Sequence, residues 1–264
     1  MLYVLPLQTG GKRTCKLLSQ LYAYFKKLSS ICTVKIIYLI AYFPRYFDFF
    51  FILNYNFKMI KLAAFLGNPG AGYAQNRHNA GRMTALMFPF FSSLSWQKKY
   101  QGLYSSYDGI HFLMPETYMN LSGASVQAAA AFFKIDIKEI IVVHDELELP
   151  LGTISLKFAG GLGGHNGLRS MNKCFGGADF WRLRIGIGRP DSRLPGEGGK
   201  EGSGEGIIDW VLTNFSDAEK EILNPALEAA ANLLMQIFKD DPENFLKAWA
   251  KKKILIPEIN EAEK

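Results

Sequence analysis

Cysteine is scarce in this chain of 264 residues. Cys15, Cys32 and Cys174 are scattered, with no Cys-x-x-Cys pair. That argues against a disulfide scaffold or a zinc ribbon and fits a reducing compartment. No His-Glu-x-x-His pair is present, so the usual helical zinc-hydrolase signature is missing. Gly161-Leu162-Gly163 lacks the third glycine of a dinucleotide fingerprint, and no Gly-Lys-Ser/Thr phosphate loop occurs. Long apolar runs are absent from the first part of the chain. The longest there, Ile36 to Phe43, is far short of the roughly 20 residues that span a bilayer. Lys12, Arg13 and Lys16 precede apolar residues, but no small-residue cleavage site follows a coherent apolar core.

Acids are missing from one region. Residues 1–58 hold eight Lys/Arg and a single acid, Asp48, whereas residues 59–264 hold 22 Lys/Arg against 23 Asp/Glu. The net charge of +6 therefore comes from the N-terminal segment. Any RNA contact made by the remainder must use local basic clusters and not a global field. The same segment carries 14 of the 36 aromatics, and its stretch around Tyr42–Phe51 has neither helical period nor strand alternation. We expect residues 1–58 to be an atypical extension produced by a misplaced start in AT-rich DNA, with the functional chain beginning at Met59; a genuine extension or a targeting segment is the alternative.

What is present from Ile60 onward is orderly. Ile60–Leu66 reads as a buried strand entering the turn Gly67-Asn68-Pro69-Gly70. A helix is expected from about Ala80 to Phe91. Gly102–Tyr107 and Ile110–Pro115 form a hairpin across Asp108-Gly109. Ser122–Phe133 is Ala-rich and helical, and Ile140–His144 is a short β-branched strand with Asp145 at its end. Thr153–Phe158, a helix from Asn166, and a strand over Arg182–Gly188 follow. Ser216-x-x-Glu219 is a capping box opening a helix to about Lys239, with a second short helix near Pro242–Lys252. Asp191–Gly206 has almost nothing apolar to bury and reads as a mobile loop. Strands interleaved with helices give an α/β fold. We expect one domain over residues 59–253, a mixed twisted sheet flanked by helices, with its C-terminal helices near the active-site cleft, and a tail over 254–264.

Three polar clusters sit at strand ends, where such sheets carry their sites. They are Asn68-Pro69-Gly70 with Tyr73 and Arg77-His78-Asn79; Tyr118-Met119-Asn120; and His144-Asp145-Glu146 with Gly164-His165-Asn166-Gly167. Singly each has a plain structural reading as a turn, a packing glycine or a core histidine. In order, the runs GNPGAGYAQNRHNAG, MPETYMNLSG, VVHDELELPLG, GGLGGHNGLRS and WRLRIGIGRP resemble bacterial peptidyl-tRNA hydrolase, over about residues 59–252.

The resemblance implies hydrolysis of the ester joining an N-blocked peptide to tRNA, recycling stalled or dropped-off peptidyl-tRNA, with no cofactor and no metal. It makes His78 the general base, Asp145 its acidic partner (Glu146 and Glu148 being alternatives that the motif match disfavours) and Asn68 the third catalytic position, credited with separating N-blocked from free aminoacyl-tRNA. Asn68, Asn120 and Asn166 together would hold the peptide backbone and the water. Tyr73 and Tyr118 would contact the tRNA end or peptide. Lys157 and Arg184 would grip the 5′ phosphate end. The Lys251–Lys253 run, read as a solvated cap on a helix end, could add tRNA affinity. The partner implied is the acceptor stem and 3′ end of peptidyl-tRNA, met by a cytoplasmic monomer away from any membrane.

Departures from the family pattern are Tyr118, where Phe is commoner, Ala159 and Leu162, where Gly and His are frequent, and the length of the 191–206 segment. Two other classes compete. A non-catalytic RNA-binding relative of the splicing-factor type would keep the fold and let the catalytic pair drift. A metallohydrolase would use His78, His144, His165 and Asp145 as ligands.

Overall fold

The computed structural model describes residues 59–190 and 204–254. The readings for residues 1–58, for most of 191–206 and for the tail beyond 254 lie outside the described residues. In chain order the elements are β1 (Leu62–Phe65), α1 (Ala80–Leu86), β2 (Gln97–Lys99), β3 (Gly102–Tyr107), β4 (Ile110–Pro115), α2 (Ser122–Phe133), β5 (Ile140–Glu146), β6 (Thr153–Phe158), α3 (Asn166–Phe175), β7 (Trp181–Gly186), α4 (Gly204–Leu212), α5 (Asp217–Ile237) and β8 (Lys252–Lys253).

All eight strands join one mixed sheet in the order β2-β3-β4-β1-β5-β7-β6-β8. The central strands β4, β1, β5 and β7 run parallel, and the flanking pairs are antiparallel. Alternation along the strands builds two cores. Leu62, Ala64, Ile140 and Val142 face α2 and α3 through Val126, Ala129, Leu168 and Met171. Ala63, Phe65, Ile141 and Val143 face the other way, against Met83 of α1 and Leu227, Ala231 and Leu234 of α5. Every residue of β1 is buried, as a central parallel strand covered on both faces requires. Each large side chain so buried contributes about 1.5–3 kcal/mol.

The hairpin forms as read, with Asp108 and Gly109 both at positive φ, 49° and 80°, the backbone of a two-residue turn that matches strand twist. The capping box at Ser216 and Glu219 is also present, each side chain bonded to the other's backbone N–H.

Where α1 crosses the sheet, Gly81 allows the closest approach. A Cβ there would lie 2.3 Å from the Val143 carbonyl oxygen and 2.6 Å from that of Leu66. Alanine is favoured over glycine inside a helix by about 1 kcal/mol, but these neighbours are backbone atoms that no rotamer change can move. Gly81→Ala should therefore lower stability by about 1–3 kcal/mol. A fall in the denaturant midpoint checks this; a raised midpoint would contradict it.

Beside the unexpected strand β2 and strand β7, which ends at Gly186 and not Gly188, three elements differ from the sequence reading. Helix α1 stops at Leu86, not Phe91, because Pro89 has no N–H to continue it; Phe88 instead turns inward onto Phe65, ring centres 5.9 Å apart. Helix α4 begins at Gly204, inside the segment read as a loop, its start hidden by Gly204 and Gly206. The expected helix over 242–252 is only a 3-10 turn, Pro242–Phe245, after which Lys252 and Lys253 pair with Ile154 and Thr153 as an edge strand. The lysine run thus lies on a sheet edge, where charge discourages further pairing, and not at a helix end.

Candidate active site

Three chain segments meet at the carboxyl ends of the parallel strands. The loop leaving β1 carries Asn68. Its backbone N–H donates to Asn79 Oδ1 at 2.8 Å, and Asn79 Nδ2 donates back to the Asn68 carbonyl at 3.0 Å. The Asn68 side-chain Oδ1 accepts from the Met119 backbone N–H at 2.9 Å. An amide whose oxygen is committed in this way keeps its NH2 group as a donor. Asn79, which the sequence reading placed in the first polar cluster without giving it a role, therefore holds the Asn68 backbone from both sides.

His78 lies in the short 3-10 turn Arg77–Asn79 that leads directly into α1. Asp145 lies near the end of β5 and is 2% exposed. His78 Nδ1 donates to the Asp145 carboxylate, 2.9 Å from Oδ1 and 3.0 Å from Oδ2. A second histidine completes the group. His165, the N-cap residue of α3, accepts from the Gly167 and Leu168 N–H groups with Nδ1 at 3.1 and 3.4 Å. Its proton must then be on Nε2, which donates to Asp145 Oδ1 at 3.0 Å. The same logic gives His78 its proton on Nδ1 and leaves Nε2 with a lone pair.

The electrostatics follow. Burial opposes the charge on Asp145, but His78 and His165, by charge and by hydrogen bonds, outweigh it and hold the carboxyl well below its ordinary range. Burial pulls the His78 pKa down, and the Asp145 anion, by charge and hydrogen bond, more than compensates, so it ends above its ordinary 6.5. His144 behaves oppositely. Burial and the neighbouring His165 push it well below that value. Its Nδ1 donates to the Asp145 carbonyl at 2.6 Å, and its Nε2 has no protein partner.

These residues line a cavity of about 340 Å³. His78, His144, Asp145, His165 and Asn166 form the polar side, and Ile207, Ile208 and Val211 of α4 form an apolar wall. Such a mixture, a few polar groups against apolar lining, suits a small acyl group presented to an activated water. His78, Asp145 and His165 also offer ligand atoms within 4.8 Å of one another, the group among the described residues that could hold a metal ion. Those atoms are already hydrogen-bonded among themselves, and His144, the fourth residue of the metallohydrolase reading, is not part of that group.

The other candidate residues fall into two sets. Around the cleft, Asn166 is exposed as the first residue of α3, Asn120 is exposed beside Met119, the partner of Asn68, and Tyr118 is 60% exposed. Tyr73 is half-buried in the turn Ala71–Tyr73 after the Asn68 loop. Lys157 and Arg184 are not among the residues that line the cavity; they lie on β6 and β7, Arg184 in register with His144 of β5. The Arg184 guanidinium donates to Ser155 Oγ at 2.7 Å and to Glu146 Oε2 at 3.4 Å, so part of its fork is already used.

Opposite Lys157 on β7 lies Arg182, which the sequence reading passed over. It is buried and donates to the carbonyls of Gly161 and Gly160 at 2.7 and 2.8 Å, pinning the glycine-rich loop. Ala159, at the start of that loop, has φ 54°, a conformation glycine takes without cost.

The sequence matches the family model described as Peptidyl-tRNA hydrolase over residues 62–256. It is 44% identical over 207 residues to the peptidyl-tRNA hydrolase of Treponema pallidum (strain Nichols), covering 74% of this chain and 97% of that relative. Among solved structures it is similar to a point mutant of the peptidyl-tRNA hydrolase from Acinetobacter baumannii, with a TM-score of 0.65, 32% identity and coverage of 74% of this chain and 96% of that one. The structure titled peptidyl-tRNA hydrolase from Acinetobacter baumannii gives a TM-score of 0.60 at 34% identity, covering 72% and 92%.

Proposed function

This chain belongs to the peptidyl-tRNA hydrolase family, and we propose that it cleaves the ester between an N-blocked peptide and the terminal ribose of tRNA with His78 as general base. The observation that carries the assignment is the buried His78–Asp145 pair, with Nδ1 bonded to the carboxylate and Nε2 left to take a proton. In this reading Nε2 removes a proton from water as the water oxygen attacks the ester carbonyl. Asp145 stabilises the imidazolium that forms and keeps the ring in the productive tautomer. The tetrahedral intermediate then expels the ribose oxygen, which recovers the proton from His78, so that peptide acid and free tRNA leave and the base is restored.

Asn68 Nδ2 is the donor proposed for the carbonyl oxygen as it gains charge. Asn120 and Asn166 would hold the peptide backbone, Tyr73 and Tyr118 would bind the tRNA end or peptide, and Lys157 and Arg184 would contact the 5′ phosphate end. The intact His78–Asp145 pair weighs against a non-catalytic RNA-binding relative. We further take the protein to be a monomer acting in the cytoplasm, where its substrate arises. Among the described residues no helix is long and apolar enough to cross a membrane.

N-acetyl-phenylalanyl-tRNA should be hydrolysed and free phenylalanyl-tRNA spared, because a cationic α-amine would have to shed its water beside an amide donor. A filter-retention assay on the two substrates checks this. Equal cleavage of both would remove Asn68 from the discriminating role, and tight tRNA binding without any cleavage would favour the non-catalytic reading.

A further inference from the structure

Arg77 precedes His78, and no step described above uses it. Its side chain is 4% exposed, rare for a guanidinium, and its contacts are numerous. Nη1 and Nη2 donate to the two carboxylate oxygens of Glu219 at 2.8 and 3.0 Å. Nε donates to Thr213 Oγ1 at 3.0 Å, and the backbone N–H donates to the Thr213 carbonyl at 3.0 Å. The guanidinium carbon lies 3.7 Å from the centre of the Trp210 ring and 4.9 Å from that of Phe215.

These partners all belong to the last turn of α4, its connection to α5 and the first turn of α5. The first of those helices is the one whose Ile207, Ile208 and Val211 wall the cavity. The base and the apolar wall are thus joined by one side chain. A buried ion pair is weak evidence for stability as such. What a bidentate fork stacked between rings supplies is a fixed relative orientation. We propose that Arg77 is a positioning residue: it clamps α4 to the His78 turn and so sets the spacing between base and apolar wall, and with it the binding of an apolar residue at the ester.

The proposal rests on the hydrolase reading but can be tested by binding alone. The probe is an amide-linked, non-hydrolysable N-acetyl-phenylalanyl-adenosine analogue, whose Kd does not depend on turnover; failure of hydrolysis would therefore fault the function and not the clamp. Arg77→Lys keeps the charge and loses the fork and the stacking. Ile208→Ala shortens an exposed wall residue (55% exposed). Each single change should weaken binding at least about threefold, and the double variant should be no weaker than the worse single one, since a detached wall no longer presents Ile208; coupling of that size is usual for groups acting as a unit.

Glu219→Gln should weaken binding in the same direction and carries the same cycle if Arg77→Lys does not fold. The acid limb of kcat/KM should stay where it is in the wild type. Multiplying effects in the cycle, or a lowered Tm with unchanged Kd, would overturn the clamp and leave Arg77 a folding residue only.

Discussion

Asp145→Asn should reduce hydrolysis by about 10² or more while the protein stays folded. The substitution is nearly isosteric, but it removes the charge that both histidines address. In the wild type His78 Nδ1 and His165 Nε2 both donate to the carboxylate. An asparagine amide can present its NH2 group to one of them and invert the tautomer of that ring. If His78 is the ring affected, its proton moves to Nε2, where the attacking water needs a lone pair. The pH profile gives a second reading with a definite sign. Burial lowers the His78 pKa and Asp145 raises it to a net increase. Without the anion, burial prevails. The acid limb of kcat/KM should therefore move to lower pH as the plateau falls, and a limb that stays in place would mean that Asp145 does not face the titrating base. Single-turnover rates across pH 5 to 8, where histidine ordinarily titrates, provide the check.

His78→Ala should cost at least about 10² in hydrolysis, the scale of a positioned general base. Binding of tRNA should persist, because the basic residues proposed for the tRNA end lie on other elements, Lys157 on β6 and Arg184 on β7. The two effects separate base from scaffold. Loss of both together would point to collapse of the turn that also carries Arg77 and Asn79. Near-normal hydrolysis would refute the assignment of His78. A filter-binding measurement beside the rate distinguishes these outcomes.

Much of this architecture was legible in the residues. The strands over Gly102–Tyr107, Ile110–Pro115 and Thr153–Phe158 and helix Ser122–Phe133 have the bounds that alternation, the Asp108-Gly109 turn and alanine content suggest. Local rules sufficed there because the deciding interactions are local. Helix α4 was not legible, since Gly204 and Gly206 disguise its start and its burial comes from partners far away in sequence, Trp210 and Val211 joining the core of Phe65 and Met83 and Trp210 lying against Arg77. The reading of 242–252 as a helix failed for a related reason. The pairing of Lys252 and Lys253 with β6 is a tertiary choice that periodicity cannot report.

The site divides in the same way. The motif order singled out His78 and Asp145, and they meet across 67 positions of sequence. The mutual bonds of Asn68 and Asn79, the His165 contact to Asp145 and the hold of Arg182 on the glycine-rich loop could not be read in advance. Each depends on which atom of a polar side chain points where. Asn79 and His165 stand within the quoted runs RHNAG and GGHNG, so their presence was visible while their partners were not.

His78, unprotonated at Nε2 and bonded to Asp145 through Nδ1, is the group proposed to stop the reaction when it takes a proton. Titrating the His78 imidazole by nitrogen NMR, on the same sample used for the pH–rate profile, tests it most directly. The expected result is a neutral form protonated at Nδ1 and one pKa, above 6.5, shared by the ring and the acid limb of kcat/KM. A neutral form protonated at Nε2, or a kinetic pKa that does not coincide with that of the ring, would contradict it.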